Sequence, residues 1–297
     1  MPHKILFDTD PGVDDALALL FALRSPELEV VGVTTVYGNA QVEQTTRNAL
    51  CVLEVAGRTD IPVAAGAARP LVRAYRGKRS HIHGEDALGN TFLPPPSTRP
   101  LDIAAAEFII RTALAHPGEI TLVAVGPLTN LALAARLEPR VVSAVRQVIV
   151  MGGAAFVPGR VSPVPDVNVD NDPEAAAIVF SAGWPLVMVG LDVTMRTVMT
   201  GEYLHHLFPP SDDPLRSNPL TTCLSRIVPV YLQAYRDRYG IDGIPMHDPS
   251  AVAYAVDPSL FRVERLPVFV ETAIPEIDVC VDVDSPRLLA LFKERMQ

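Results

Sequence analysis

The sequence predicts an α/β fold: an open, mainly parallel sheet covered by helices on both faces, Rossmann-like in its layering. Three observations point there. Short β-branched runs alternate with longer helical patterns in a βαβ rhythm. Runs such as Leu122-Val-Ala-Val125 and Val148-Ile-Val-Met151 are apolar on both faces, as strands sandwiched between helices must be. Hydrophobic residues make up 48% of the chain against 20% charged, enough for one large core. No low-complexity linker divides the 297 residues, so 1–297 reads as a single domain with long loops.

In order, an apolar strand over 5–7 hands over to an apolar helix over 16–23, and a β-branched run at 30–36 leads to a helix over 44–56. The same alternation gives strand 121–125 and helix 128–136, strand 145–151 and helix 173–182, then strand 186–189. Two segments break the rhythm and read as long functional loops at strand ends: 67–100, with a basic cluster and Pro94-Pro-Pro96, and the proline-rich 154–170. An irregular stretch at 208–219 precedes a helix over 220–239, in which Tyr231, Tyr235 and Tyr239 recur every four residues. That spacing fits aromatics packed onto the core and equally a stacking wall for an aromatic ligand. Strands near 263–270 and 279–283, then a helix from Pro286, close the chain.

Composition excludes several partners. With 25 basic and 34 acidic side chains the net charge is −9, so a nucleic-acid backbone meets a repulsive surface. Cys51, Cys223 and Cys280 are far apart and odd in number, which suggests buried free thiols and not a disulfide framework or a thiolate zinc site. No apolar stretch reaches the length of a membrane helix, and the amino terminus runs straight into a strand; a cytoplasmic protein is the expectation.

The chemistry concentrates in Asp10, Asp14 and Asp15, three carboxylates within six residues at the first strand-to-helix junction. Carboxylates this close raise one another's pKa, and a bound hard cation is the simplest way to keep them all ionised. An EF-hand fails: counted from Asp8, the sixth position is Val13 instead of Gly and the twelfth is Leu19 instead of Glu. Further ligands must come from afar. Asn39, the Val125 carbonyl, Asn130 and the pair His247-Asp248 lie at expected strand exits or helix entrances. Singly, Asn39 fits a turn residue, Asn130 a helix-entry hydrogen bonder and Asp248 a plain N-cap just as well.

Together these segments carry a resemblance. Asp8-Thr-Asp-Pro-Gly-Val-Asp-Asp-Ala16, Gly38-Asn39, His83-Gly-Glu-Asp86, Gly126-Pro-Leu-Thr-Asn130, Met151-Gly-Gly153, Asn168 with Asp172-Pro-Glu174, and Met246-His-Asp-Pro249 occur in one collinear order. In that order the chain resembles the inosine-uridine-preferring nucleoside hydrolases. The resemblance implies the nucleoside hydrolase fold and a calcium ion held by Asp10, Asp15, Asp248 and the carbonyl of Val125. It implies that Asp10 takes a proton from a calcium-bound water, which then attacks the anomeric carbon of a ribonucleoside. Asp14, Asn39 and Asn168 would hold the ribose 2′ and 3′ hydroxyls, so that 2′-deoxy analogues are rejected, and Met151 would pack against the sugar. His247 becomes the candidate to protonate the leaving base, a role favoured over merely orienting the base or the loop. His83 resembles a second base-side histidine and His81 a surface neighbour, while Tyr231 is the candidate stacking residue.

The chain departs from the family pattern at Arg160 and Asp166, which match positions commonly Asn and Glu on the ribose 5′ hydroxyl. An Arg160–Asp166 ion pair, an anionic 5′ substituent on Arg160, or a shifted loop with Arg160 in solvent all fit. Two rival readings remain at this level. Asp8-Thr-Asp10 after a strand also suits a haloacid-dehalogenase-like phosphatase with Asp8 as covalent nucleophile, and a calcium-dependent nucleoside or ribose binder would need no catalysis at all. As an acidic α/β enzyme of this size, the chain is expected to form a homodimer or homotetramer.

Overall fold

The computed structural model describes residues 2–156, 166–209, 219–271 and 273–297. Its centre is an eight-stranded sheet in the order β3-β2-β1-β4-β5-β6-β10-β9. These strands are β1 (His3–Thr9), β2 (Leu28–Thr35), β3 (Val63–Ala65), β4 (Thr121–Ala124), β5 (Gln147–Met151), β6 (Leu186–Val189), β9 (Phe261–Pro267) and β10 (Glu276–Val283). All neighbours run parallel except the β9–β10 hairpin, and a separate antiparallel pair joins β7 (Val198–Thr200) to β8 (Gly243–Pro245). The mainly parallel, doubly covered sheet read from the sequence is thus observed.

Alternation along the strands feeds two apolar layers. Ile5, Phe7, Val123, Ile149 and Val187 point into the layer beneath the helices Val13–Leu23, Asp248–Val256 and Ser285–Met296. Leu6, Leu122, Val148 and Leu186 enter the opposite layer, beneath Ala105–Ala115, Thr129–Leu137 and Pro173–Ser181. The three cysteines are buried free thiols. Among the described residues no helix is long and apolar enough to cross a membrane.

Three differences from the expected elements stand out. The first helix begins at Val13, three residues before Ala16, because the Asp15 carboxylate accepts the Gly12 amide at 2.9 Å and closes the first turn. Asp14 and Asp15 therefore sit at the positive end of that helix's dipole. The segment 67–100 is not wholly irregular, since it contains the short helix Ser80–His83. The helix Ala105–Ala115 is an addition, with Ala105, Ala106, Ile109 and Ala113 buried and Phe108, Ile110 and Leu114 packed against the same core.

Connectivity places the ligand site. From β1 the chain moves outward to β2 and β3, then returns to the other side of β1 as β4. The crevice between the carboxyl ends of β1 and β4 is such a reversal, where ligands of parallel sheets gather. Asp10 follows β1, Asn39 follows β2, Val125 follows β4, and Met151 ends β5.

Candidate active site

At that crevice the chain encloses a cavity of about 230 Å³. Its wall brings together twelve of the residues singled out from the sequence: Asp14, Asn39, His83, Val125, Met151, Asp166, Asn168, Tyr231, Tyr235, Tyr239, His247 and Asp248. Asp10 and Asp15 lie just behind this lining, each 1% exposed. Arg160 lies outside the described residues, and with it all three readings of that position. His81 is exposed, as expected.

The floor is built by hydrogen bonds from three loops. Asp15 is fully engaged: Oδ1 accepts from Thr9 Oγ1 at 2.5 Å and the Asp10 amide at 3.2 Å, and Oδ2 from the Gly12 amide and, at 3.0 Å, Asn39 Nδ2. Asp10 Oδ2 accepts the Asn39 amide at 2.7 Å. Its Oδ1 is buried with no hydrogen-bond partner among the described residues. Two glycines permit this placement, for a Cβ on Gly38 would stand 2.0 Å from Asp10 Oδ2 and one on Gly126 2.6 Å from Oδ1. Asp10 is clamped edge-on between two backbones that only glycine lets approach so closely.

Electrostatics on this floor is severe. Burial, then the charge of Asp15, raises Asp10 well above the usual carboxylate range. Burial, then Asp14, pushes Asp15 up to about 6. Burial and the charges of Asp14, Asp15, Asp10 and Asp166 raise Asp248 well above its ordinary value.

A hard cation fits this donor set. Asp14, Asp15 and Asp248 each offer an oxygen within 4.8 Å of the others. Asp10 Oδ1 and Asp14 Oδ1 are buried carboxylate oxygens without a donor among the described residues, and the groups offered are all oxygen. This tightest triple differs from the expected ligand set by including Asp14 in place of Asp10. The Val125 carbonyl accepts Asn168 Nδ2 at 2.7 Å, and the same amide reaches the Met151 carbonyl at 3.1 Å.

The opposite wall is aromatic. Tyr231 and Tyr235 are buried and, with Tyr239, line the cavity, so this face of the helix Pro219–Tyr239 packs on the core and walls the pocket at once. Tyr231 donates its hydroxyl to Asp14 Oδ2 at 2.7 Å and stacks on His83 with ring centroids 4.9 Å apart. His83 Nδ1 accepts the Val13 amide at 3.2 Å, and burial is the main cause that lowers its pKa to about 4. His247 shares hydrogen bonds with Thr194 Oγ1 through Nδ1 at 2.9 Å and with the Tyr235 hydroxyl through Nε2 at 3.0 Å. Asp166 caps the helix Val167–Asn171 by accepting the Asn168 and Val169 amides.

Some expected donors serve the scaffold instead. Asn130 Nδ2 donates to Asp8 Oδ1 at 2.8 Å and to the Thr35 carbonyl, holding β1 to its neighbours. Asp8 also receives Thr34 Oγ1, is 1% exposed and is absent from the cavity wall. With its Oδ1 held by two donors inside the sheet, Asp8 serves the scaffold. Conversely, Arg76, Arg79 and Asp170 line the cavity without having been singled out. The only signal for the two arginines was the basic cluster in the 67–100 loop, which does not say which members turn inward.

Comparison with known proteins agrees with this geometry. Residues 5–290 match the family model for inosine-uridine preferring nucleoside hydrolase. The chain is 43% identical over 273 residues to an inosine-uridine preferring nucleoside hydrolase of Leishmania major, covering 91% of this chain and 84% of that protein. It is 39% identical to a probable uridine nucleosidase 2 of Arabidopsis thaliana, covering 99% and 97% of the two chains. A solved plant nucleoside hydrolase superposes with a TM-score of 0.92 at 38% identity, over 100% of this chain and 99% of its own. Matched from first strand to last helix in sequence and in fold alike, the chain belongs to the inosine-uridine-preferring nucleoside hydrolases, enzymes that cleave the N-glycosidic bond of ribonucleosides.

Proposed function

We propose that this chain hydrolyses ribonucleosides, uridine and inosine among them, to free base and ribose, with Asp10 as general base. The observation that carries the reading is Asp10 Oδ1, a buried carboxylate oxygen without a donor among the described residues, clamped by Gly38 and Gly126 just behind the pocket wall. Burial and Asp15 raise its proton affinity, as suits a group that must take a proton from water and pass it on.

A calcium ion held by Asp10, Asp15, Asp248 and the Val125 carbonyl would supply the positive charge that keeps these carboxylates ionised and would make a water in its shell more acidic. Asp14, Asn39 and Asn168 bind the ribose 2′ and 3′ hydroxyls, and Met151 fills the space below the ring. In the wall, Tyr231 orients Asp14 through its hydroxyl. Positive charge grows on the ribose as the glycosidic bond lengthens, and the carboxylate floor stabilises it. His247, hydrogen-bonded between Thr194 and Tyr235, faces the leaving base and assists its departure.

The test is a panel of ribonucleosides and 2′-deoxyribonucleosides assayed for reducing-sugar release, with and without a calcium chelator. Uridine and inosine should turn over, their 2′-deoxy forms should lag far behind, and the chelator should stop the reaction. Survival of both ribonucleosides with the metal-replete protein overturns the proposal.

A further inference from the structure

Carboxylates can stabilise the sugar, but the broken C1′–N bond leaves its electron pair on the base, which needs a positive partner. The two wall histidines supply no fixed positive charge. His83 Nδ1 accepts the Val13 amide and so carries no proton there, and His247 is bonded to Thr194 and Tyr235. The described pocket wall holds two permanent cations, Arg76 and Arg79. The Arg76 guanidinium pairs with Asp170.

Arg79 differs from Arg76 in every relevant respect. Among the described residues its guanidinium makes no hydrogen bond or ion pair, although it is half-buried in the wall of an acidic site. Its backbone is fixed: the amide donates to the Asn39 carbonyl at 2.9 Å, and its carbonyl accepts the Ile82 and His83 amides. It therefore stands at the entrance to the helix Ser80–His83, between the ribose-side Asn39 and the base-side His83. Its charge is felt on both sides, opposing protonation of Asp10 and of His83.

We propose that Arg79 is a catalytic residue for the leaving base, its guanidinium hydrogen-bonding a carbonyl oxygen of the base and taking up the negative charge that develops there. This rests on the nucleoside hydrolase reading above. The balance is simple. The C1′–N bond breaks with its electrons going to the base, the water oxygen forms the new C1′–O bond, and the water proton goes to Asp10 and then to solvent. Arg79 transfers no proton; the base anion is protonated as it leaves. Uracil and hypoxanthine both carry the required carbonyl, and a forked planar cation suits it.

The experiment compares kcat for uridine and for p-nitrophenyl riboside, whose leaving group is already stable as an anion, in the wild type, Arg79→Gln and Arg79→Lys, with Tm measured for each. Removing an electrostatic stabiliser of this kind costs about a hundredfold to a thousandfold, so R79Q should lose about a hundredfold or more on uridine and markedly less on p-nitrophenyl riboside. R79K, which keeps the charge without the fork, should fall between, with KM little changed. Equal losses on both substrates, or none on either, overturn the role of Arg79. Should R79Q fail to fold, the same ratio in R79K decides. A wild type that releases ribose from neither substrate instead overturns the hydrolase reading itself.

Discussion

Gly126→Ala offers the sharpest probe of the reacting centre, because it sets one methyl group against one carboxylate oxygen. A Cβ at 126 would stand 2.6 Å from Asp10 Oδ1 and 3.0 Å from Val36 Cγ1. Ordinary contact begins at 3.4 Å, so the carboxylate oxygen must retreat by 3.4 − 2.6 = 0.8 Å. The clamp on its other side, where Gly38 approaches Oδ2, leaves no room for a simple translation, so the carboxylate must rotate off the Asn39 amide. Misplacing a reacting group by about 1 Å costs on the order of 100-fold. That corresponds to about 2.7 kcal/mol of barrier. Overpacking adds about 1–3 kcal/mol of destabilisation. The assay is reducing-sugar release from uridine under saturating substrate, beside thermal melting in the same buffer. We expect kcat to fall about 100-fold with KM nearly unchanged, since Asp10 lies behind the ribose-binding wall. A variant that retains kcat within about threefold would show that Oδ1 is not the oxygen that receives the proton.

Metal removal should turn the carboxylate floor into a pH-dependent liability. Asp15 has a folded pKa near 6, above its ordinary 3.8, so the chelated protein is favoured at low pH and loses that stability as pH rises through about 6. Tm of the chelated protein should climb as pH is lowered from 8 to 5, and calcium should flatten the curve; identical curves with and without calcium would count against a cation on these residues. Tyr231→Phe removes the side-chain donor on Asp14 Oδ2, a hydrogen bond to a charged group worth about 1.5–3 kcal/mol. KM for uridine should rise about tenfold or more, and an unchanged KM would detach Tyr231 from ribose binding. Asp8→Asn keeps an acceptor for Thr34 and Asn130 and removes a buried acid whose pKa is raised to about 7. Because a raised acid costs stability above that pKa, the variant should melt at least about 2 °C higher than wild type at pH 8, no higher at pH 4, and keep its activity. Loss of turnover at unchanged Tm would instead put Asp8 in the chemistry.

The fold was legible where side-chain contrast is strong. Both-face apolar runs at Leu122–Val125 and Val148–Met151 marked buried parallel strands, and the structure places β4 and β5 there. The three-residue β3 is too short to show a period. At the site, residues embedded in dense local patterns were readable: the aspartates after β1, Asn39, Val125, Asn168 and the His247-Asp248 pair all converge on one cavity or its floor. Asn130 was legible as a helix-entry hydrogen bonder, but its true partner, Asp8 on β1, is 122 positions away. Arg76 and Arg79 were not separable from Arg73, because all three belong to one basic cluster and differ only in where the loop turns them.

By itself, then, the order of residues determined the layered parallel sheet, the junction at which acidic groups must collect, and the need for a compensating cation, since hydrophobic periodicity and charge repulsion act over a few neighbours. Only the tertiary structure decided that Asp8 is sealed beneath Thr34 and Asn130 while Asp10 stands clamped by two glycines, that Asp14 is held by a tyrosine from the far end of the chain, and that Arg79 faces the pocket without an acidic partner among the described residues. Those outcomes depend on which surfaces meet when separate segments pack, and hydrogen-bond partners and desolvation are set by that meeting and by nothing local.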